Sequence, residues 1–311
     1  MHDLKNKIKG GIWGLLIGDA LGVPYEFHLP ENIPKKSDIN FVSPLGFKRS
    51  HSKVPSGTWS DDGAHALCLL ASLLECNCLD PSNLMRKIFD WYENGYMAVD
   101  GNVFDVGIQT TRALQNYRAG IPALDCGPNQ VHDNGNGALM RSLPLALWHK
   151  GSDYELIQDA HLQSKITHGH LRSQICCALY CLWARRILEN HIKPWDSSVK
   201  TVRRFYGEGS IEQAELEYYI RPDDALEGKG SSYVVDCLRS AKMVYDNNQY
   251  YEDVVKEAIM LGFDTDTTSC VAGGISGLKQ GLSEIPEKWQ TELRGVEIFM
   301  PLLDELLTRF D

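Results

Sequence analysis

Two short stretches of this 311-residue chain set hard oxygen donors side by side: Ser60-Asp61-Asp62 and Asp264-Thr265-Asp266-Thr267-Thr268. Each stands immediately before an apolar run of helical spacing. Taken alone, either reads as a helix cap, because Ser or Asp at a helix start satisfies free N–H groups and acids there suit the helix dipole. A cap needs a single side-chain oxygen, however, and each stretch offers a pair of carboxylates plus hydroxyls. Asp61, Asp62, Asp264 and Asp266, with the hydroxyls of Ser60 and Thr267, form the oxygen set that Mg²⁺ or Mn²⁺ prefers. Like charges gathered in this way repel and raise one another's pKa unless cations neutralise them. Cations sharing one water give the two-metal arrangement used for hydrolysis. Asp19 and Glu26 lie upstream, at the end of a glycine stripe, and extend the acidic set.

The elements that must hold these groups are helices. Apolar residues recur at three- and four-residue spacing, which predicts helices over 5–21, 63–74, 84–96, 103–119, 139–148, 154–166, 171–188, 233–245, 251–261, 267–280 and 296–307. Period-two alternation is scarce; Phe41 and Val42 are the one candidate for a short edge strand. No Ser/Gly-rich linker interrupts the chain, so the expected fold class is all-α, with residues 1–311 as a single domain. The glycine stripes Gly10, Gly14, Gly18, Gly22 and Gly273, Gly277, Gly281 recur every four residues. Each costs a helix interior roughly 1 kcal/mol relative to Ala, and close approach of packed helices is the usual offset. Residues 24–60, with five prolines, read as a long functional or mobile loop. Residues 120–137 read as an ordered turn region leading into a helix.

Bulk properties exclude some classes. A net charge of −10 argues against nucleic-acid binding, which leaves a basic footprint. No apolar run approaches the ~18 residues of a membrane span, and the polar opening residues do not resemble a signal peptide. The nine cysteines form no CxxC units, and several sit in apolar stretches. They read as free thiols in a reducing compartment, the cytoplasm.

In order along the chain stand Gly14-x3-Gly18-Asp19-Ala20-x-Gly22-x3-Glu26, Trp59-Ser60-Asp61-Asp62, Gly135-Asn136-Gly137-x2-Met140-Arg141-x2-Pro144, Thr167-His168 and Gly262-x-Asp264-x-Asp266-Thr267. Each motif is weak alone. In this order they resemble the ADP-ribosylglycohydrolase family, which includes the dinitrogenase reductase-activating glycohydrolase and the ADP-ribosyl-acceptor hydrolases. The resemblance runs from about residue 8 to 282. It implies a compact orthogonal helical bundle with a binuclear centre of two divalent cations, Mg²⁺ or Mn²⁺. It also implies hydrolysis of the bond joining ADP-ribose to a modified protein side chain, most commonly arginine and in some members serine. Matched position by position, Ser60, Asp61, Asp62, Asp264, Asp266 and Thr267 become the metal ligands. Glu26 becomes the acid beside metals and ribose, and His168 a ligand-contacting histidine. Asn134, Gly135, Asn136 and Gly137 fall in the loop expected to cradle the ligand. The chain departs from the pattern at Ser60, where a Thr is usual and the hydroxyl is kept, and at Gly63, where a Thr is usual and a hydroxyl is lost. The second change removes a hydrogen bond that could support one metal site.

The implied chemistry is attack of water at the anomeric carbon of the distal ribose through an oxocarbenium-like transition state. Asp62, Asp264 and Glu26 are the candidate general acids or bases, unranked by sequence. Free N–H groups of residues 133–138 could meet the pyrophosphate; the same residues also read as a plain turn. His168 could bond phosphate or ribose, or be a helix-boundary histidine without a ligand. Tyr233 could stack on the ligand or belong to the core. Met140 and Arg141 read as structural. Expected partners are ADP-ribosylated protein and ADP-ribose, with neither nucleic acid nor membrane. The implied role is reversal of regulatory or toxin-mediated ADP-ribosylation. Alternatives are a catalytically weak ADP-ribose-binding protein, a hydrolase of another derivative such as O-acetyl-ADP-ribose, and a helical scaffold whose acids are only caps.

Overall fold

The structure, a computed structural model, describes residues 2–225 and 227–310. The described residues form fourteen α-helices and no strand: α1 (His2–Gly22), α2 (Asp61–Cys76), α3 (Pro81–Asn94), α4 (Ile108–Arg118), α5 (Leu143–Trp148), α6 (Asp153–Lys165), α7 (Leu171–Leu188), α8 (Pro194–Tyr206), α9 (Ile211–Glu215), α10 (Val234–Asn247), α11 (Tyr251–Met260), α12 (Thr265–Gln280), α13 (Glu287–Glu292) and α14 (Val296–Thr308). The all-α expectation therefore holds. Phe41 and Val42 form a bend rather than a strand, with Phe41 buried and Val42 exposed. The periodicity expected over 103–119 begins only at Ile108, and that over 139–148 only at Leu143. In the second case Leu139 and Met140 direct their N–H groups to Asn136 O and turn the chain before α5 starts.

Helices α1 and α12 form the axis of the molecule. They run antiparallel, and the glycine stripes make their contact. A Cβ built at Gly10 would lie 2.2 Å from Gly277 O, at Gly14 2.5 Å from Gly273 O, and at Gly18 2.2 Å from Ser269 O. No side chain fits between backbones this close, so the helix-propensity cost of glycine is offset by main-chain packing and polar clips. Two such clips run across the contact, Ser269 Oγ donating to Gly18 O at 2.6 Å and Thr265 Oγ1 to Gly22 O at 2.8 Å, and a third comes from α11, Tyr251 Oη donating to Gly14 O at 2.8 Å. The antiparallel register sets the C-terminal end of α1, with Asp19 and Glu26 after it, against the N-terminal end of α12, with Asp264 and Asp266. Helix α2 packs across both, and α7, α10 and α11 complete the surround.

Residues 24–60 are irregular apart from three short 3₁₀ turns, as their proline content predicts. They are nevertheless anchored: Ser50 N–H donates to Pro24 O at 2.9 Å, and Tyr25 Oη donates to Asn40 O at 2.9 Å. All nine cysteines are free, and seven are buried. Arg141 is fully buried and structural, donating to Gln163 Oε1, Gln163 O, Gly137 O and Thr167 Oγ1.

Candidate metal and active centre

The N-terminus of α2 is capped without using either of its own carboxylates. Ser60 Oγ accepts the Asp62 N–H at 3.2 Å. Asp19, arriving from α1, accepts the N–H groups of Ser60 at 2.9 Å and Gly63 at 2.7 Å. Asp61 and Asp62 are thereby left for other work. Asp62 Oδ2 accepts the hydroxyls of Ser60 (3.2 Å) and Thr267 (3.3 Å), which ties α2 to α12. Its other oxygen, Oδ1, is buried with no hydrogen-bond partner, and so is Asp266 Oδ2. An ionised carboxylate oxygen in that condition is costly unless a proton or a cation meets it.

The ligand-capable oxygens of Asp19, Asp62 and Asp266 lie within 4.8 Å of one another, and so do those of Glu26, Asp264 and Asp266. Asp266 belongs to both groups and stands between two candidate cation positions. This oxygen-only, acid-rich donor set suits Mg²⁺ or Mn²⁺. Burial is the first cause of raised pKa throughout the cluster. It lifts Asp19 to about 7 and, with the charges of Asp105 and its neighbours, Glu26 to about 11. Asp61, Asp62 and Asp266 are held well above the usual carboxylate range by burial and mutual repulsion. Asp264 is raised less decisively, because Thr267 and Asn136 hydrogen-bond to it.

Two residues of the centre escaped the reading of the sequence. Asp105, in the irregular segment before α4, hydrogen-bonds to Asp61 and is raised to about 6, chiefly by burial. His51, from the long loop, places Nε2 2.7 Å from Glu26 Oε2. A ring nitrogen of His51 and carboxylate oxygens of Glu26 and Asp105 form a third close group. Asp61 belongs to none of the three groups and faces Asp105 instead. The one signal for Asp105 was the sequence Asp-x-Gly directly before a helix; His51 carried none.

The expected ligand loop also has a structural role. Residues 133–138 do not run directly into a helix N-terminus, and three of their amides are engaged: Asp133 N–H meets Gln130 O, Gly135 N–H meets Gln109 Oε1, and Asn136 N–H meets Ser232 O. These three amides are not free for an anion. Instead the loop pairs with the segment opening α10, through the Gly135–Tyr233 bridge and the Val234 N–H to Asn134 O bond of 2.9 Å. That pairing aims Asn136 Nδ2 at Asp264 Oδ2, 3.1 Å away. His168 is buried behind the loop, its Nδ1 2.9 Å from Thr167 Oγ1, and burial lowers its pKa to about 3. A Cβ at Gly137 would lie 2.8 Å from His168 Cε1, so the glycine makes room for the ring. Tyr233 is partly exposed, and its hydroxyl accepts from Arg172 at 3.0 Å.

At Gly63, the nearest atoms to an added Cβ would be Leu16 Cδ2 and Trp59 Cγ, both at 2.8 Å. The space for a side chain is filled by these apolar groups. The expectation that this glycine weakens a metal site through a lost hydroxyl gains no support from its surroundings.

The model of the family described as ADP-ribosylglycohydrolase matches residues 1–311. This chain belongs to that family. Among its relatives, ADP-ribosylarginine hydrolase Tri1 of Serratia proteamaculans is 28% identical over 310 residues, covering 97% of this chain and 79% of the relative. ADP-ribosyl-[dinitrogen reductase] glycohydrolase of Rhodospirillum rubrum is 25% identical and covers 94% of this chain and 91% of its own. A solved structure titled ADP-ribosylglycohydrolase-related protein complex superposes with a TM-score of 0.80 at 26% identity, covering 99% of each chain. The chain is thus an ADP-ribosylglycohydrolase by fold and by sequence, and its acidic centre sits where α1, α2 and α12 of that fold converge.

Proposed function

We propose that this ADP-ribosylglycohydrolase removes ADP-ribose from modified arginine side chains of proteins, with two divalent cations, Mg²⁺ or Mn²⁺, at the acidic centre. One observation carries the metal reading: four buried aspartates, Asp19, Asp61, Asp62 and Asp266, from three helices, of which Asp62 and Asp266 each keep a buried oxygen without a partner. The relatives named ADP-ribosylarginine hydrolase support the linkage.

Asp62, Asp264 and Asp266 would hold the cations, with Asp61 as a further ligand once it parts from Asp105, and with Ser60 and Thr267 holding Asp62 in place or joining as ligands. When bound, the cations supply neutralisation of the cluster, a grip on ribose hydroxyls and polarisation of water. Glu26 is the carboxylate we assign to proton handling, because His51 holds its Oε2 at 2.7 Å. A leaving guanidine is basic, and a proton delivered to its nitrogen as the glycosidic bond breaks lowers the barrier. Asn136 orients Asp264. Asn134, Gly135 and Gly137 shape the loop behind the ligand, while His168, neutral, supports it. Tyr233, fixed by Arg172, is the partly exposed ring available for stacking. The free thiols fit a cytoplasmic enzyme acting on regulatory or toxin-made modifications.

The test is a comparison of arginine-linked with serine-linked ADP-ribosyl protein. Released ADP-ribose from the arginine-linked substrate supports the reading. Release from the serine-linked substrate alone, or from O-acetyl-ADP-ribose alone, contradicts it.

A further inference from the structure

Non-glycine residues rarely adopt positive φ, and such positions cluster where function over-determines the backbone. Among the described residues nine do so, and four of them surround the acidic centre: Phe27 (φ 63°), His51 (49°), Asp105 (51°) and Phe263 (58°). Two are phenylalanines, for which this conformation is a genuine outlier.

The strained pair is locked together. Phe27 N–H donates to Phe263 O at 2.6 Å, and Phe263 N–H donates to His28 O at 2.7 Å. Despite that rigid backbone, the Phe27 side chain is 69% exposed and that of Phe263 40% exposed. The rings are therefore held out rather than packed in, which hydrophobic burial does not explain. The His51 ring lies 5.8 Å from that of Phe27 and 5.1 Å from that of Phe104. Each aromatic is the chain neighbour of a carboxylate of the centre: Phe27 of Glu26, Phe104 of Asp105, and Phe263 of Asp264. Arg49, in the same loop as His51, turns its guanidinium back onto Val54 O and Ser56 Oγ.

Aromatic faces alternating with carboxylates form a receptor for a flat organic cation. A neutral hydroxyl leaving group has no use for it, whereas a guanidinium, planar and delocalised, stacks on rings and bonds to acids at once. We propose that Phe27, Phe104 and Phe263, with His51, form an aromatic collar that receives the guanidinium of the arginine side chain being released. The collar selects the arginine linkage, with Phe27 as its principal contact. This proposal rests on the arginine-hydrolase reading above.

The test measures hydrolysis of an arginine-linked ADP-ribosyl peptide, inhibition by agmatine as a free guanidine, and ADP-ribose affinity. The variants are Phe27→Leu, Phe27→Trp and Phe263→Leu. Losing one cation–π contact is worth roughly 3- to 30-fold. Phe27→Leu is expected to lower kcat/KM and raise the agmatine inhibition constant by that factor, with ADP-ribose affinity changing less than about twofold in the same assay. Phe27→Trp is expected to restore both losses, and Phe263→Leu to repeat them more weakly. Replacing the outward ring leaves Tm where it was, a result a packing role would not give. If Phe27→Leu leaves both parameters unmoved, or weakens ADP-ribose as much as agmatine, the collar is wrong while the arginine reading stands. If the wild-type enzyme releases nothing from the arginine-linked peptide, the underlying reading fails and the collar falls with it.

Discussion

Asp19, on α1, accepts the N–H groups of Ser60 and Gly63 at the start of α2, and so caps a helix more than forty residues away in sequence. The acids at the start of α2 thus need not serve as its cap. Asp19→Asn leaves these donors facing an amide with only one acceptor oxygen. Leaving a buried N–H donor without its partner costs about 1–3 kcal/mol. The variant should therefore lose stability by about 2 kcal/mol, with and without divalent cation, in denaturant titrations. Its activity should fall too, since α2 carries Asp61 and Asp62.

Asp266 should behave in the opposite way. Its Oδ2 is buried without a partner and its charge adds to the repulsion in the cluster. Asp266→Asn should leave the metal-free protein as stable as wild type or more stable, while abolishing most of the rise in Tm that Mg²⁺ or Mn²⁺ produces. A metal-free variant less stable than wild type would show that Asp266 is mainly structural.

The pH dependence follows from the raised carboxylates. In the unfolded chain an aspartate titrates near 3.8, whereas burial lifts Asp105 to about 6 and Asp19 to about 7. Between those limits the folded state binds more protons, so their contribution to stability, complete below pH 3.8, is lost as pH rises through about 6 and about 7. His161 and His168, lowered to about 4 and about 3, act in the other direction between those values and 6.5. The histidines lie outside the candidate ligand groups and affect both forms alike. Cation-induced stabilisation, the difference between the forms, should therefore grow from pH 5 to pH 8. A shift in Tm that is flat with pH would contradict this.

Gly63→Thr restores the residue usual in the family and should not improve the enzyme. The added Cβ would meet Leu16 and Trp59 at 2.8 Å. Overpacking of this kind costs about 1–3 kcal/mol, so Tm should drop with no gain in kcat. A gain in cation affinity would show that the neighbours yield and that the hydroxyl matters.

Much of this centre was legible in the residues because its aspartates sit at helix starts in pairs, where capping alone does not account for both. The glycine stripes likewise announced the α1–α12 contact that brings the pairs together. Asp105 and His51 were not legible, since both lie in aperiodic segments and reach the site only through tertiary anchoring. Helix α8 was missed although Trp195, Val199 and Val202 have helical spacing and are buried, because charged and polar residues fill the rest of that stretch. The loop at Asn134–Gly137 was legible from its composition, but its pairing with the segment before α10, and the capture of the Gly135 and Asn136 amides by Gln109 and Ser232, depend on tertiary contacts that its sequence does not signal.

The most direct test of the account is metal-dependent hydrolysis by wild type and by an Asp62→Ala/Asp266→Ala double variant. Arginine-ADP-ribosylated protein would be incubated with Mg²⁺, Mn²⁺ or chelator, and free ADP-ribose and unmodified arginine followed by mass spectrometry. Release by wild type with cation is expected, and roughly a hundredfold less or lower with chelator or in the double variant, as follows when charge stabilisation at the reacting centre is removed. Release that persists in chelator, or in the double variant, would contradict it.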